Sequence, residues 1–246
     1  MRKIWLVFLS FILSYGDEIY ASFNVEALKQ SRLSLESFGL VEQIFVEVGQ
    51  SVKKGEILLN LNQNSEKIAL QNAQNDYKLA LIEFENAKSK MQKFKAVQSV
   101  IDKQSYEDMK AKFELASLNL NKAKININHY KNVLEKKELK APYDCVVSRK
   151  FIQLGEGVAG VNQPLIEIFS YPQNKLILSF DEKYKDKVKV NDEFIYKIDG
   201  NSVEFKGRIS LIYPSIDVKT RKIYAEVLAS NLTPGLFGEG KIITKD

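Results

Sequence analysis

His129 and Cys145 are the only histidine and the only cysteine in the 246-residue chain, so the residue types that most often bind metals or act as nucleophiles are nearly absent. A zinc site of the ordinary kind needs three or four such ligands, and a Cys-His nucleophile needs both groups close together with a third to orient them. Neither can be assembled here. His129 stands two positions past Ile127, on what reads as the solvated flank of a helix, and Cys145 reads as a small structural residue. A single cysteine also permits no intramolecular disulfide. The carboxylates Glu83 and Glu85 are two positions apart, which on a helix turns them to different faces and leaves no acid-base pair. No catalytic, cofactor-binding or metal-ligating residue is expected, and the chain reads as a non-enzyme.

Lysine is the residue type that does cluster. The formal net charge is +5, and residues 63–138 hold fourteen lysines against ten acids, with Lys88, Lys90, Lys93, Lys95 and Lys103 close in sequence. Such a face can meet nucleic acid, anionic lipid or an acidic protein surface, or can simply be a solvated helix face. The N-terminus bears on that choice. Arg2 and Lys3 precede a largely apolar run from Ile4 to Leu13, and the small residue Ala21 follows a short polar stretch, which is the layout of a secretory leader over residues 1–21 with cleavage expected after Ala21. The apolar run is short for a membrane span, although retention as an anchor is the alternative. An exported protein has no nucleic acid to meet.

The element that carries the lysines is defined by what it lacks. Between Glu56 and Ala141 there is neither glycine nor proline, although the chain has twelve and five of them. At average usage about ten would fall in such a stretch. Leu70, Ala73, Tyr77, Ala80, Phe84, Ala87, Met91 and Phe94 step by three and four, as do Tyr106, Met109, Phe113, Ala116, Leu120, Ala123, Ile127, Tyr130 and Leu134. Alternating steps of three and four are a coiled-coil seam. The two series pair antiparallel about a turn near Val100, with Phe84 opposite Ala116 and Ala87 opposite Phe113, so that large residues tend to face small ones. The second series alone predicts a rod of about 43 Å at 1.5 Å per residue.

β-Structure flanks the rod. Before it, Ile44, Val46 and Val48 mark a short strand and Gly49 and Gly55 mark turns; after it, the same pattern returns at a shift of 106 residues, with Val46 matching Ile152, Val48 Leu154, Gly49 Gly155 and Val52 Val158. Two half-repeats interrupted at a loop make one sandwich carrying an inserted hairpin. Further on, alternating runs at Leu176 to Phe180, Phe194 to Ile198, Val203 to Tyr213 and Ile223 to Ala229, with a hairpin turn at Asp199-Gly200 and a helical turn near Tyr184, predict a small antiparallel barrel. The fold class is therefore multi-domain and mainly β, with an α-helical hairpin inserted in the sandwich. The expected boundaries are 38–62 with 139–170 for the split sandwich, 63–138 for the hairpin, and 171–231 for the barrel. Segments 22–37 and 232–246 are expected to pair as a third, membrane-proximal β unit.

Three stretches, VEQIFVEVGQSVKKGEILLNLN, LKAPYDCVVSRKFIQLGEGV and IYPSIDVKTRKIYAEVLASNLTPGLFGEG, resemble the two lipoyl-like half-motifs and the closing barrel strands of the membrane fusion proteins, the periplasmic adaptors of HlyD-like and RND type. The resemblance implies a homo-oligomeric funnel of six subunits between an inner-membrane transporter, RND-type in the favoured reading, and a TolC-like outer-membrane channel. An ABC-type exporter or type I secretion system is the alternative partner. It also implies that the hairpin tip touches the channel, whose mouth is generally acidic in such systems. RND-type relatives carry an Arg, a Leu and a Ser there, matched here by Lys90, Phe94 and Asp102 with one extra residue between the last two. The tip as a whole comprises Lys90, Lys93, Phe94, Lys95, Val97, Ser99, Asp102 and Lys103. Where the second half-motif usually has glycine this chain has Cys145, which implies some strain in that turn. Some relatives bind Cu(I) through methionines, but Met91 and Met109 both fall in the seam, where packing is their expected role. A lipoyl-lysine carrier is disfavoured because the insert occupies the hairpin at which the modified lysine would stand. No cofactor is expected.

Overall fold

A computed structural model describes residues 17–244 apart from 98, 100 and 201. Residues 1–16, most of the leader expected over 1–21, lie outside the described part. In chain order the strands before the helices are β1 (Glu18–Ala27), β2 (Gln30–Leu33), β3 (Gly39–Ile44), β4 (Ser51–Val52) and β5 (Ile57–Leu61), and the helices are α1 (Asn64–Ala96) and α2 (Lys103–Glu135). Then come β6 (Glu138–Lys140), β7 (Cys145–Lys150), β8 (Gly157–Val158), β9 (Ile166–Ser170), β10 (Gln173–Asp181), a 3-10 turn Glu182–Tyr184, β11 (Glu193–Ile198), β12 (Glu204–Asp217), β13 (Lys222–Ser230) and β14 (Phe237–Ile243). Two compact units result: Ser31–Ile168, and a second made of the described residues up to Gln30 together with those from Phe169 onward.

In the first unit, two four-stranded sheets, ordered β2-β9-β7-β4 and β6-β5-β3-β8, enclose a core that includes Leu58, Leu59, Val147, Leu165, Ile166 and Ile168. The 106-residue repeat is a structural two-fold. Gly39 pairs with Val158 and Leu40 with Gly157; adding or subtracting the shift turns these pairs into Cys145 with Val52 and Val146 with Ser51, which is the observed pairing of β7 with β4. The turns obey the same symmetry. Gly49 donates to the Val147 carbonyl at 2.8 Å and Gly155 to the Val41 carbonyl at 2.9 Å, each glycine in the left-handed region that the turn requires. Two corrections follow. The first strand lies earlier than Ile44 to Val48: it spans Gly39–Ile44, Val41 is buried, and Val48 is exposed in the loop beyond it. Cys145 is the two-fold mate of Gly39, yet it opens β7 as a buried residue and is not among the left-handed positions, so no turn strain attaches to it.

The second unit is a closed barrel in the order β1-β10-β13-β12-β11-β14. Alternate residues of β1, Ile19, Ala21, Phe23 and Val25, enter a core shared with Leu176, Leu178, Phe180, Phe194, Ile209, Ala225 and Ile242. The two termini do pair, with Glu18 opposite Ile243 through Asn24 opposite Phe237, but inside this barrel and not as a third β unit. Closure removes the unpaired edges that an open sheet would carry. Gly238 and Gly240 make room for it: a β-carbon on either would strike the carbonyls of Lys197 or Ile195 and the rings of Phe23 or Phe194, which fill the barrel at those points. The alternation expected along β12 holds at Ile209 but not at Leu211. A register shift between them turns Leu211 to solvent and brings Ile212 and Ile216 onto the core.

Candidate docking surface on the helical hairpin

Both helices run 33 residues, about 50 Å at 1.5 Å per residue. Two helices alone cannot enclose a seam: Ala73, Met109, Ala116 and Ala123 are buried, while Tyr77, Phe84, Met91, Phe94, Phe113, Leu120 and Ile127 are half-exposed. All of these are seam positions. Where small residues line the seam the helices approach closely enough to cover them, and the rings lie over the sides. Phe84 illustrates this. Its ring lies 5.5 Å from that of Phe113, so it meets the neighbouring large layer as well as the small residue expected opposite it.

At the far end α1 stops at Ala96, and α2 starts on Asp102, whose carboxylate accepts from the Ser105 amide at 2.8 Å. Hydrogen bonding from the Ser105 side chain, and then from this amide, holds the Asp102 carboxyl below its usual pKa. Asp102 is therefore engaged as a helix cap, and Phe94 is partly withdrawn into the seam. The other tip residues, Lys90, Lys93, Lys95, Val97, Ser99 and Lys103, are exposed. Among the described residues no carboxylate lies within ion-pair distance of Lys90, Lys93 or Lys95; Lys103 has Glu107 at 3.8 Å and Lys88 has Glu85 at 3.6 Å. Cations in the last turn of α1, Lys93 and Lys95, also complement the negative end of the helix dipole.

The root of the rod is built from residues that sequence reading missed. Lys137 pairs with Glu66 at 3.1 Å with both side chains largely buried, donates to the Phe38 carbonyl at 2.9 Å and lies over the Phe38 ring. Lys136 adds an ion pair to Glu36 at 2.7 Å, and Gln63 reaches Glu138. The available signal was register, since Glu66 in the first turn of α1 and Lys137 just past the end of α2 stand beyond the last paired seam layer, but Phe38 is remote in sequence.

His129 is exposed with its ring 5.2 Å from Tyr130. Cys145 is buried, and burial with nearby Asp144 and Glu56 raises its thiol pKa, which suppresses the reactive thiolate. Among the described residues no three His, Cys, Asp or Glu side chains converge on a metal-sized site, and no helix is long and apolar enough to cross a membrane. A groove on the barrel bounded by Glu18, Tyr20, Lys197, Glu204, Glu239 and Lys241 has its charges paired internally: Lys241 with Glu18 at 2.6 Å, Lys197 with Glu204 at 3.1 Å and Tyr20 with Glu239 at 2.7 Å.

A split sandwich with a two-fold repeat, interrupted by a long helical hairpin, defines an adaptor of the membrane fusion class. Residues 31–166, more than half of the chain, match the family of the CzcB-like barrel-sandwich hybrid domain, and the chain belongs to that family. It is 26% identical over 215 residues to the cobalt-zinc-cadmium resistance protein CzcB of Cupriavidus metallidurans, a match spanning 81% of this chain and 39% of that protein. The chain spans less than half the length of the curated relatives it matches. Among solved structures the membrane fusion protein Spr0693 of Streptococcus pneumoniae superposes with a TM-score of 0.73 at 14% identity, covering 93% of this chain and all of that one. MacA of Actinobacillus actinomycetemcomitans gives 0.70 at 18%, covering 94% and 79%. These two establish the fold.

Proposed function

We propose that the chain is the periplasmic adaptor subunit of a tripartite efflux pump, linking an RND-type inner-membrane transporter to a TolC-like outer-membrane channel as a ring of six copies. The observation that carries this reading is the rod itself: a hairpin fixed at its root by the Lys137 cluster that presents at its end the exposed Lys90, Lys93 and Lys95, which have no carboxylate partner among the described residues. Such an arrangement supplies reach and a charged tip without a reaction centre. Cargo selection then belongs to the transporter. The name of the Cupriavidus relative supports divalent metal cations as the cargo class. An ABC-type exporter remains the second reading of the inner-membrane partner. In-cell cross-linking from the adaptor, followed by identification of the captured membrane protein, tests the proposal; recovery of an RND-type transporter and a TolC-like channel is expected, and recovery of an ABC exporter would select the alternative.

A further inference from the structure

The expected leader cut after Ala21 conflicts with the barrel. Ala21 is fully buried and Ile19 is 1% exposed, both within the barrel core. A cut there would remove four of the ten residues of β1, and with them the pairings of Glu18, Ile19, Tyr20 and Ala21 to Ile243, Ile242, Lys241 and Gly240. One side of β14 would lose its partner over that length, leaving the closed barrel open to solvent at the β1 end. A leader ending there would take part of the fold with it.

We propose instead that the leader is removed between Gly16 and Asp17, by an export peptidase that reads small side chains at the first and third positions before the cut. Of the five Ala, Gly or Ser residues between positions 10 and 22, only Gly16 has another small residue, Ser14, two places before it; Ser10, Ser14, Ala21 and Ser22 are preceded at that distance by Phe8, Ile12, Ile19 and Tyr20. Ser14, Tyr15 and Gly16 lie outside the described residues and enter by residue type alone. The ten residues from Ile4 to Leu13 form an apolar segment of leader length directly ahead of them.

The folded side of the cut agrees. Asp17 is already held by the barrel, its carboxylate accepting from Lys187 at 2.5 Å and its carbonyl from the Thr244 amide at 3.2 Å, while β1 begins one residue later. Cleavage at this bond leaves every β1 pairing intact. The step is amide hydrolysis: water adds across the Gly16–Asp17 bond, giving a carboxylate on Gly16 of the released leader and an ammonium on Asp17 of the mature chain.

This inference rests on the export reading, and one experiment separates the two. The chain is expressed with its own leader in a Gram-negative host, fractionated, and analysed by intact mass and N-terminal sequencing. A periplasmic or membrane-associated product beginning at Asp17 is expected, and Gly16→Leu, which lies ahead of every barrel strand in the sequence, should leave the exported chain with its leader attached. An exported native product beginning at Ser22 or retaining Met1, or a Gly16→Leu product still beginning at Asp17, would overturn the cut alone. Full-length protein confined to the cytoplasm would overturn export, and the cut with it.

Discussion

Glu226 sits on β13 with 14% of its side chain exposed and accepts from both Lys175 and Tyr213 at 2.7 Å. Burial pushes its carboxyl pKa up, but the two donors pull it down further, and the net position is below the ordinary value of 4.5. A carboxylate whose pKa is lowered by folding stabilises the native state above its unfolded pKa, and that stabilisation is lost as pH falls through the lower folded value. The barrel should therefore lose melting temperature as pH drops from 5 toward 3. Glu226→Gln, which removes the charge from the pair with Lys175, should cost about 1–3 kcal/mol at neutral pH and flatten that acid-side slope; thermal unfolding followed across the pH range reads both. Phe84 is a second residue whose environment sets its worth. Its ring packs on Phe113 and carries Lys88 over its face, but it is half-exposed, so Phe84→Ala is expected to cost about 2 kcal/mol, less than a fully enclosed phenylalanine. Hydrogen exchange should then quicken in α1 and α2 while leaving the barrel unchanged. Both side chains were visible as hydrophobic or charged positions in the sequence, but their degree of enclosure was not, because it depends on partners remote along the chain.

Elements were legible where a single physical constraint repeats. The hairpin announces itself because a seam needs a 3.5-residue period over many turns, and because a glycine or proline would interrupt it. The sandwich halves were legible because Gly49 and Gly155 must both reach the left-handed region, which fixes a glycine at equivalent points of the repeat. The opening strand was set too late because Val46 and Val48 continue the apolar alternation past its end. At β12 the alternation is broken by a bulge, for which Ile209 and Leu211 give no local cue. β1 was divided because its small residue Ala21 reads equally well as a leader boundary and as an inward position opposite the glycines of β14. The root of the hairpin was missed for the opposite reason, since the burial of Lys137 depends on Phe38 and Glu66. Removing one partner of a largely buried ion pair leaves the other uncompensated. Lys137→Ala is accordingly expected to loosen the hairpin where it meets β5 and β6, with a loss of about 3 kcal/mol in that unit and raised amide exchange at Leu61, whose amide donates to the Lys137 carbonyl. Unaltered exchange there would assign the anchoring to Lys136 and Gln63 instead.

For the whole molecule the question is what its uneven charge accomplishes. Most of the net positive charge lies in residues 63–138, and Lys90, Lys93 and Lys95 at the tip are among the lysines there that have no carboxylate partner among the described residues. A cation paired within its own helix offers little to a partner, whereas Lys90, Lys93 and Lys95 keep their field available. Against an acidic channel mouth, such a field raises the encounter rate and orients the approach more than it adds affinity. Reversing these three lysines to glutamate should leave the fold in place, at a cost of about 0.3–1 kcal/mol for each charge reversed in the last turn of α1, because all three are exposed and none forms an ion pair among the described residues. Circular dichroism and protein abundance in cells should then match the native chain while export falls. Binding to the isolated channel should weaken by about 10-fold or more at low salt, mainly through slower association. The deficit should shrink as salt rises, since the screening length falls from about 30 Å at 0.01 M to about 10 Å at 0.1 M. Binding that is equal for native and reversed tips at low salt would remove electrostatics from the docking step, leaving shape complementarity as the determinant of how the hairpin meets its partner.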